Sequence, residues 1–81
     1  MVAGPGNDLF AFSNGAVGSA NTIINFTQGQ DHVALFGYGT NAVADALAHA
    51  SVAFGSTSIT LADNTTITFA NVTNLHATDF L

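Results

Sequence analysis

The side chains of this sequence that could do chemistry are mainly aspartates. The five acids are all aspartate, and the sequence has no glutamate, lysine, arginine or cysteine. Asp8 and Asp31 lie in predicted turns, where a carboxylate can contact Ca²⁺ or bond to the backbone two residues further on. These two residues are the candidate metal ligands of the chain.

The histidines and hydroxyl groups do not form a catalytic pattern. His32, His49 and His76 are separated by 17 and 27 positions, which is unlike the paired spacing of zinc ligands. A nucleophilic Ser or Thr needs a neighbouring base and an orienting acid, and no motif provides them. The sequence therefore predicts a protein that is not an enzyme.

A repeated turn-plus-strand unit would position these residues. A turn-forming Asn or Asp is followed five residues later by Phe at 7–12, 21–26, 31–36 and 64–69. Asn and Asp favour turns, whereas β-branched and aromatic runs favour strands. Such units typically stack, because each one buries its apolar edge against its neighbours. We predict a mainly β fold, a small β-roll or solenoid-like stack of short strands, within one domain over residues 1–81.

The rest of the chain predicts a helix, a hairpin and several connecting segments. Residues 9–12, 22–26 and 32–36 are predicted strands, separated by a Gly- and Ser-rich loop over 13–20 and a turn over 27–31. Asn41 is a predicted N-cap for the short α-helix 42–50. Polar and apolar residues alternate over 56–61 and 65–69, which predicts a terminal hairpin. In that hairpin we expect Ile59, Leu61, Ile67 and Phe69 to share one face.

The order of these motifs resembles the C-terminal region of RTX proteins, which carry calcium-binding nonapeptide repeats. Residues 4–12 are similar to the end of a repeat array, and 21–26 and 29–39 are similar to the segment after it. Residues 63–69 and 71–73 are similar to the tail, with Asp79, Phe80 and Leu81 at the position of a secretion signal. The resemblance covers nearly the whole chain.

The resemblance implies a protein exported by a type I secretion system, and therefore secreted to an extracellular or cell-surface location. It implies Ca²⁺ as cofactor, with Asp8 and Asp31 as its ligands. It also implies upstream β-roll repeats and the secretion machinery as partners. Residues 1–5 have neither a basic nor an apolar region, so we expect no cleaved N-terminal signal.

Composition excludes two classes of partner. Without lysine or arginine the chain cannot neutralise phosphates, so we expect no nucleic-acid binding and no attraction to anionic membranes. No apolar run is long enough to insert into a membrane. Charged residues are only 6% of the sequence, against about 25% in typical domains. So few charges leave strand edges without their usual protection against pairing.

Two predicted strands are apolar on both faces. Val33 and Leu35 alternate with Ala34 and Phe36, and adjacent Ile23 and Ile24 must point to opposite sides. The second face is covered either by the predicted helix or by another copy or domain. In the second case Ile24, Ala34 and Phe36 are the candidate self-association residues.

Two functions are consistent with these patterns. The chain is a non-catalytic extracellular structural module that caps a β-roll and presents a secretion signal, associating through β-strand stacking. Alternatively, it is a stand-alone secreted subunit that self-assembles into an extracellular filament or biofilm matrix. The family has Asp at the positions of Asn21, Asn25 and Ala34. The loss of these acids favours self-assembly, whereas the order of the motifs favours the cap.

Overall fold

The computed structural model describes residues 1–15 and 19–81 of the chain. The fold is mainly β with a short helix, as predicted. Its elements are β1 (Leu9–Ser13), β2 (Ala20–Ile23), β3 (His32–Phe36), α1 (Ala42–Ala48), β4 (Ser51–Ala53), β5 (Ser56–Thr60) and β6 (Thr66–Phe69), followed by a 3₁₀ turn (Ala77–Asp79).

The strands form two sheets. One is the parallel pair β1-β3. The other has the order β2-β6-β5-β4, in which β2 is parallel to β6 and the remaining pairs are antiparallel. Two parallel bridges extend the sheets, Val2 with Ile24 and Val33 with Phe80.

The first two parallel contacts have almost the same sequence separation. Val2 pairs with Ile24, 22 positions later, and Leu9 pairs with His32, 23 positions later. The chain thus visits the larger sheet and then the smaller one, and repeats this path alongside itself. A hairpin cannot give this arrangement, because parallel neighbours need a long connection.

Apolar side chains between the two sheets form the core. Phe69 is fully buried, and its ring packs edge-on against Phe26 with the centroids 5.2 Å apart. Phe10 contacts Phe26 from the small sheet, and Phe80 contacts Phe69 from the C-terminal end. Edge-to-face aromatic contacts of this kind add to the free energy of burial. This cluster joins both sheets to the end of the chain.

The terminal hairpin has the predicted facing pattern. Ile59 lies opposite Ile67 in the antiparallel pair β5-β6, and both side chains are fully buried. Leu61 and Phe69 are also buried. The hairpin prediction is confirmed, and β4, a three-residue strand that the sequence did not indicate, pairs with the far edge of β5.

Some predicted boundaries are wrong. The strand predicted over 22–26 is β2, which runs from Ala20 to Ile23. The chain leaves the sheet at Asn25, whose φ of 64° is left-handed and ends strand geometry. Of the predicted loop 13–20, Ser13 belongs to β1 and Ala20 belongs to β2. Residues 16–18 of this loop lie outside the described part of the chain.

The helix is shorter than predicted and packs elsewhere. It ends at Ala48, and its buried residues are Ala42 and Ala46, which face β5 and the 3₁₀ turn. Asn41 precedes it without a capping side-chain hydrogen bond. On the second face of β3, Ala34 is 4% exposed and Phe36 is 55% exposed, so the fold leaves the Phe36 end of this face uncovered.

Candidate functional site

Asp31 fixes the start of the small sheet. Its Oδ1 accepts the backbone N–H of Asp8 at 2.9 Å, and its Oδ2 accepts the N–H of Thr27 at 2.8 Å. The side chain is fully buried. The N–H of Thr27 lowers the pKa of Asp31 below its ordinary value, although burial opposes this, and the N–H of Asp8 lowers it further. Asp31 therefore links the turn before β1 to the turn before β3.

Asp8 lies at the same level as Asp31 in the neighbouring strand. The structure thus brings the two candidate calcium ligands together. Asp8 Oδ2 is buried, and no hydrogen-bond partner for it is found within residues 1–15 and 19–81. A carboxylate oxygen in this state is costly, since it has lost water without gaining a donor.

The two aspartates do not complete a calcium site. Ca²⁺ takes six to eight oxygens, and both oxygens of Asp31 already accept amide hydrogens. The part of the chain that the structure describes contains no cluster of three or more His, Cys, Asp or Glu suited to a metal.

The edge of β1 that faces away from β3 carries backbone groups that lie outside the β1–β3 ladder, and one of them, Ser13 O, accepts a hydrogen bond from Tyr38 Oη at 3.2 Å. His32 N donates to Asp8 O, and Asn14 N donates to Phe36 O. The backbone N–H and C=O groups of the even-numbered residues 8–14 therefore point towards β3. Because backbone groups alternate along a strand, the N–H and C=O of Leu9, Ala11 and Ser13 point away from it. No strand within the described ranges pairs with that edge.

The outer face of the small sheet is apolar. Phe10 and Phe12 pack inward opposite Val33 and Leu35, which leaves Leu9 and Phe36 on the outer side. Leu9 is 56% exposed and Phe36 55% exposed. This surface, defined by Leu9, Ala11, His32, Ala34 and Phe36, is called the outer face below.

The three candidate self-association residues do not lie together. Phe36 lies on the outer face and is accessible. Ala34 lies on the same face but is only 4% exposed, so its side chain offers little contact area. Ile24 belongs to the other sheet, where it is exposed beside its bridge partner Val2.

The residues that resemble a secretion signal are part of the fold. Asp79 is buried and accepts hydrogen bonds from Gln28 Nε2 at 2.8 Å and from the N–H of His76 at 2.9 Å. Phe80 packs into the core, and Leu81 N donates to Val33 O. The Leu81 side chain is 73% exposed, so its contribution to the fold is the backbone bond to Val33, whereas Phe80 contributes a buried ring.

A second carboxylate, which sequence reasoning missed, organises the other end of the molecule. Asp63 Oδ2 accepts hydrogen bonds from Tyr38 Oη at 3.0 Å and from Gly15 N at 3.1 Å, and its Oδ1 accepts Thr65 N. Burial raises the pKa of Asp63, but the hydrogen bonds from Thr65, Gly15 and Tyr38 outweigh it and bring the pKa to about 2. The sequence signal was Asp63-Asn64 between two alternating strands, which indicates a turn.

The helix and the β5–β6 turn border an open groove of about 440 Å³. Asp45 and His49 contribute from the helix, and Leu61 and Asn64 contribute from the turn. His49 Nδ1 lies 2.8 Å from the backbone oxygen of Asp45, so this nitrogen is occupied within the helix. The three histidines are far apart in the fold: His32 begins β3, His49 directly follows α1, and His76 precedes the 3₁₀ turn.

No protein-family model matches the chain, and the comparison with curated proteins finds no match either. Within residues 1–15 and 19–81, no helix is both long enough and apolar enough to cross a bilayer.

Proposed function

We propose that this chain is a non-catalytic extracellular structural module that works by β-strand stacking, in the manner of an RTX C-terminal cap. The observation that carries the proposal is the pair of parallel contacts at separations of 22 and 23 residues. Nearly equal separations in two facing sheets are what a coil of a β-roll produces, since each coil lies on the one before it.

The two ends of this stack differ in a way that fits a cap. At one end β1 has an open edge, which a further parallel coil would extend. At the other end the antiparallel hairpin β5–β6 and the strand β4 close the larger sheet. The smaller sheet is closed at that end by Phe80, which pairs with Val33. An element that is open on one side and closed on the other terminates an array.

Export by a type I system belongs to the same proposal. Asp79 and Phe80 are buried in the folded chain. A secretion apparatus that reads these residues would therefore meet them before folding, and the folded module would appear only outside the cell.

The alternative of a self-assembling filament or matrix subunit is favoured by the distribution of exposed apolar residues. Phe36 and Leu9 lie on the outer face, while Phe54 projects fully into solvent at the β4–β5 turn. Phe54 has a φ of 54°, a conformation that is uncommon for a bulky residue. Apolar residues at separate sites allow contacts that do not close, and such contacts build fibres.

Light scattering of the purified chain, with calcium and with a chelator, tests the proposal. A compact particle in calcium and an expanded chain in chelator would support the RTX-like cap, with Asp8 and Asp31 near the ion. Large particles that resist the chelator would support the assembling subunit. A calcium-independent monomer at every concentration would contradict association altogether.

A further inference from the structure

Asn14 and Gly15, which directly follow β1, form a pair with a chemistry of its own. The chain has eight asparagines, and only Asn14 is followed by glycine. The backbone nitrogen after an asparagine can attack the side-chain amide carbon, because the two groups lie on adjacent residues and close a five-membered ring. Glycine has no Cβ to hinder this approach. A Cβ built on Gly15 would meet no atom of the described residues within 4 Å apart from its chain neighbours, so the pair is sterically open to this reaction.

The folded chain holds both reacting groups by hydrogen bonds. Asn14 Nδ2 donates to Gly37 O at 2.9 Å, and Gly15 N donates to Asp63 Oδ2 at 3.1 Å. Gly37 has a φ of 79°, and a Cβ there would lie only 3.3 Å from Asn14 Cβ, so this close approach needs glycine. The attacking nitrogen and the amide that would leave are thus each occupied in the folded state.

Asp63 restrains the nitrogen of Gly15 and does not activate it. Burial raises the pKa of Asp63, but the hydrogen bonds that it accepts bring the pKa to about 2. At neutral pH this carboxylate therefore accepts the N–H but is too weak a base to remove the proton. The reaction requires this contact to open, and a local opening costs less free energy than unfolding of the whole chain.

We propose that Asn14–Gly15 is a self-modification site, at which the chain deamidates when the contact between Gly15 and Asp63 opens. Gly15 N gives its proton to solvent and bonds to Asn14 Cγ, and the bond from Cγ to Nδ2 breaks. Nδ2 takes up a proton from solvent and leaves as ammonia. Water then opens the cyclic imide at either of its carbonyls, which leaves aspartate or isoaspartate at position 14. One water is consumed and one ammonia is released, so the reaction needs no oxidant or reductant.

The product cannot keep the contacts of Asn14. A carboxylate donates no hydrogen bond, so the bond to Gly37 O is lost. Isoaspartate also adds a methylene to the backbone directly before Gly15, which shifts Gly15 N relative to Asp63. Because ammonia leaves, the change is permanent. The modification therefore loosens the end of the small sheet as the protein ages.

Mass spectrometry of peptides from the chain, incubated at neutral pH, measures this conversion at each asparagine. In the urea-unfolded chain Asn14 should convert at least tenfold faster than the other seven asparagines, which are internal controls. In the folded chain Asn14 should still convert first, but at least threefold more slowly than in urea. Equal rates at all asparagines in urea would overturn the site. Equal folded and unfolded rates at Asn14, or no conversion of the folded chain, would overturn gating by a local opening.

Asp63→Ala tests which contact restrains the reaction. It frees Gly15 N and should raise the rate at Asn14 in the folded chain at least threefold. Asp31→Asn is the matched control, because it removes hydrogen bonds in another part of the small sheet. Circular dichroism checks that both variants fold. Equal acceleration in the two variants would assign the reaction to unfolding of the whole chain, and no acceleration by Asp63→Ala would remove Asp63 from it. Either result would overturn the inference, and neither bears on the association proposed above.

Discussion

The two sheets share one core but have opposite outer surfaces. The outward residues of the larger sheet are small and mostly hydroxylated: Ala20, Thr22, Ser51, Ser58, Thr60, Thr66 and Thr68. The smaller sheet instead exposes Leu9 and Phe36. Ser58 Oγ and Thr68 Oγ1 lie 2.9 Å apart, so hydroxyl groups on the larger sheet bond to each other or to water. The middle of the larger sheet thus presents hydroxyl groups to solvent, with exposed Ile24 and Val2 at its edge, whereas the smaller sheet exposes Leu9 and Phe36 on its outer face.

The largest effect should come from breaking the core that the sheets share. Phe69→Ala removes a fully buried ring that contacts Phe26 and Phe80. We expect a loss of about 3–5 kcal/mol in the free energy of unfolding. A chain of this length has roughly 4–12 kcal/mol in total, so much of the protein would unfold. Urea titration followed by circular dichroism measures this.

The matched control for that variant is Leu9→Ala, because Leu9 is apolar but exposed on the outer face. Its effect should stay within about 0.5 kcal/mol. Similar losses for the two variants would contradict the assignment of Phe69 to the core and Leu9 to the surface.

A smaller effect should follow from changing the carboxylate that joins the turns of the small sheet. In Asp31→Asn one oxygen becomes an amide group, which cannot accept the N–H of Asp8 or Thr27. A buried donor left without a partner costs about 1–3 kcal/mol. Asp45→Asn, on the exposed side of α1, is the control and should be near neutral. Identical urea midpoints for the two variants would show that Asp31 does not hold the sheet together.

Acid should weaken both sheets through the same mechanism. Asp31 in the small sheet and Asp63 at the larger one have pKa values lowered from 3.8, in the case of Asp63 to about 2. A carboxyl whose pKa is lower in the folded state stabilises the protein above its unfolded pKa. The stabilisation from Asp63 is therefore complete above about pH 4 and lost as the pH falls towards 2.

Thermal unfolding at pH 7, 4 and 2 measures this dependence. Asp63→Asn should flatten the part of the profile between pH 4 and 2 relative to the wild type. A profile that is equally steep in the wild type and the variant would exclude Asp63 as its source.

The smallest effect on the free energy of unfolding is expected for Phe36→Asp, which also tests whether the outer face takes part in association. Phe36→Asp should leave the free energy of unfolding within about 0.5 kcal/mol, because Phe36 is exposed. It should abolish association through the outer face, since a buried carboxylate there would be unpaired. Ala44→Asp, on the exposed side of α1, adds the same charge away from these apolar residues and is the control.

Light scattering compares the two variants. A Phe36→Asp protein that still assembles like the wild type would remove Phe36 from the interface.

Local patterns predicted the elements but not the alignment of distant strands. The terminal hairpin could be predicted because its alternation and its turn are close together in sequence. The repeated unit, however, placed Phe12 and Phe36 at equivalent positions. The structure pairs Phe12 with Leu35, so Phe12 is buried and Phe36 is exposed. A shift of one residue in the register of two strands moves each side chain to the opposite face of the sheet. Here the hydrogen bond from Asp8 N to Asp31 Oδ1 holds these two residues side by side and so fixes the register of β1 and β3.

The sequence predicted which residues belong to the candidate site, but not how they are arranged in the folded chain. Asp8 and Asp31 could be selected by type, but their meeting depends on a parallel contact 23 positions apart. The open edge of β1 could not be found from sequence, because an edge is defined by which strand is absent beside it. Asp63 was missed because its partners, Gly15 and Tyr38, are far from it in the chain.

The pairing of Phe80 with Val33 also governs when the molecule can fold. Val33 and Phe80 are 47 positions apart, and Ala20 and Thr66 are 46 apart. Contacts of such long sequence separation form slowly, because the intervening chain must lose its freedom first. The contacts of β2 with β6 and of Val33 with Phe80 therefore wait until residues 66–80 have been made. Until then β2 and Val33 lack these neighbours, so the second half of the described fold sets when the first half can close.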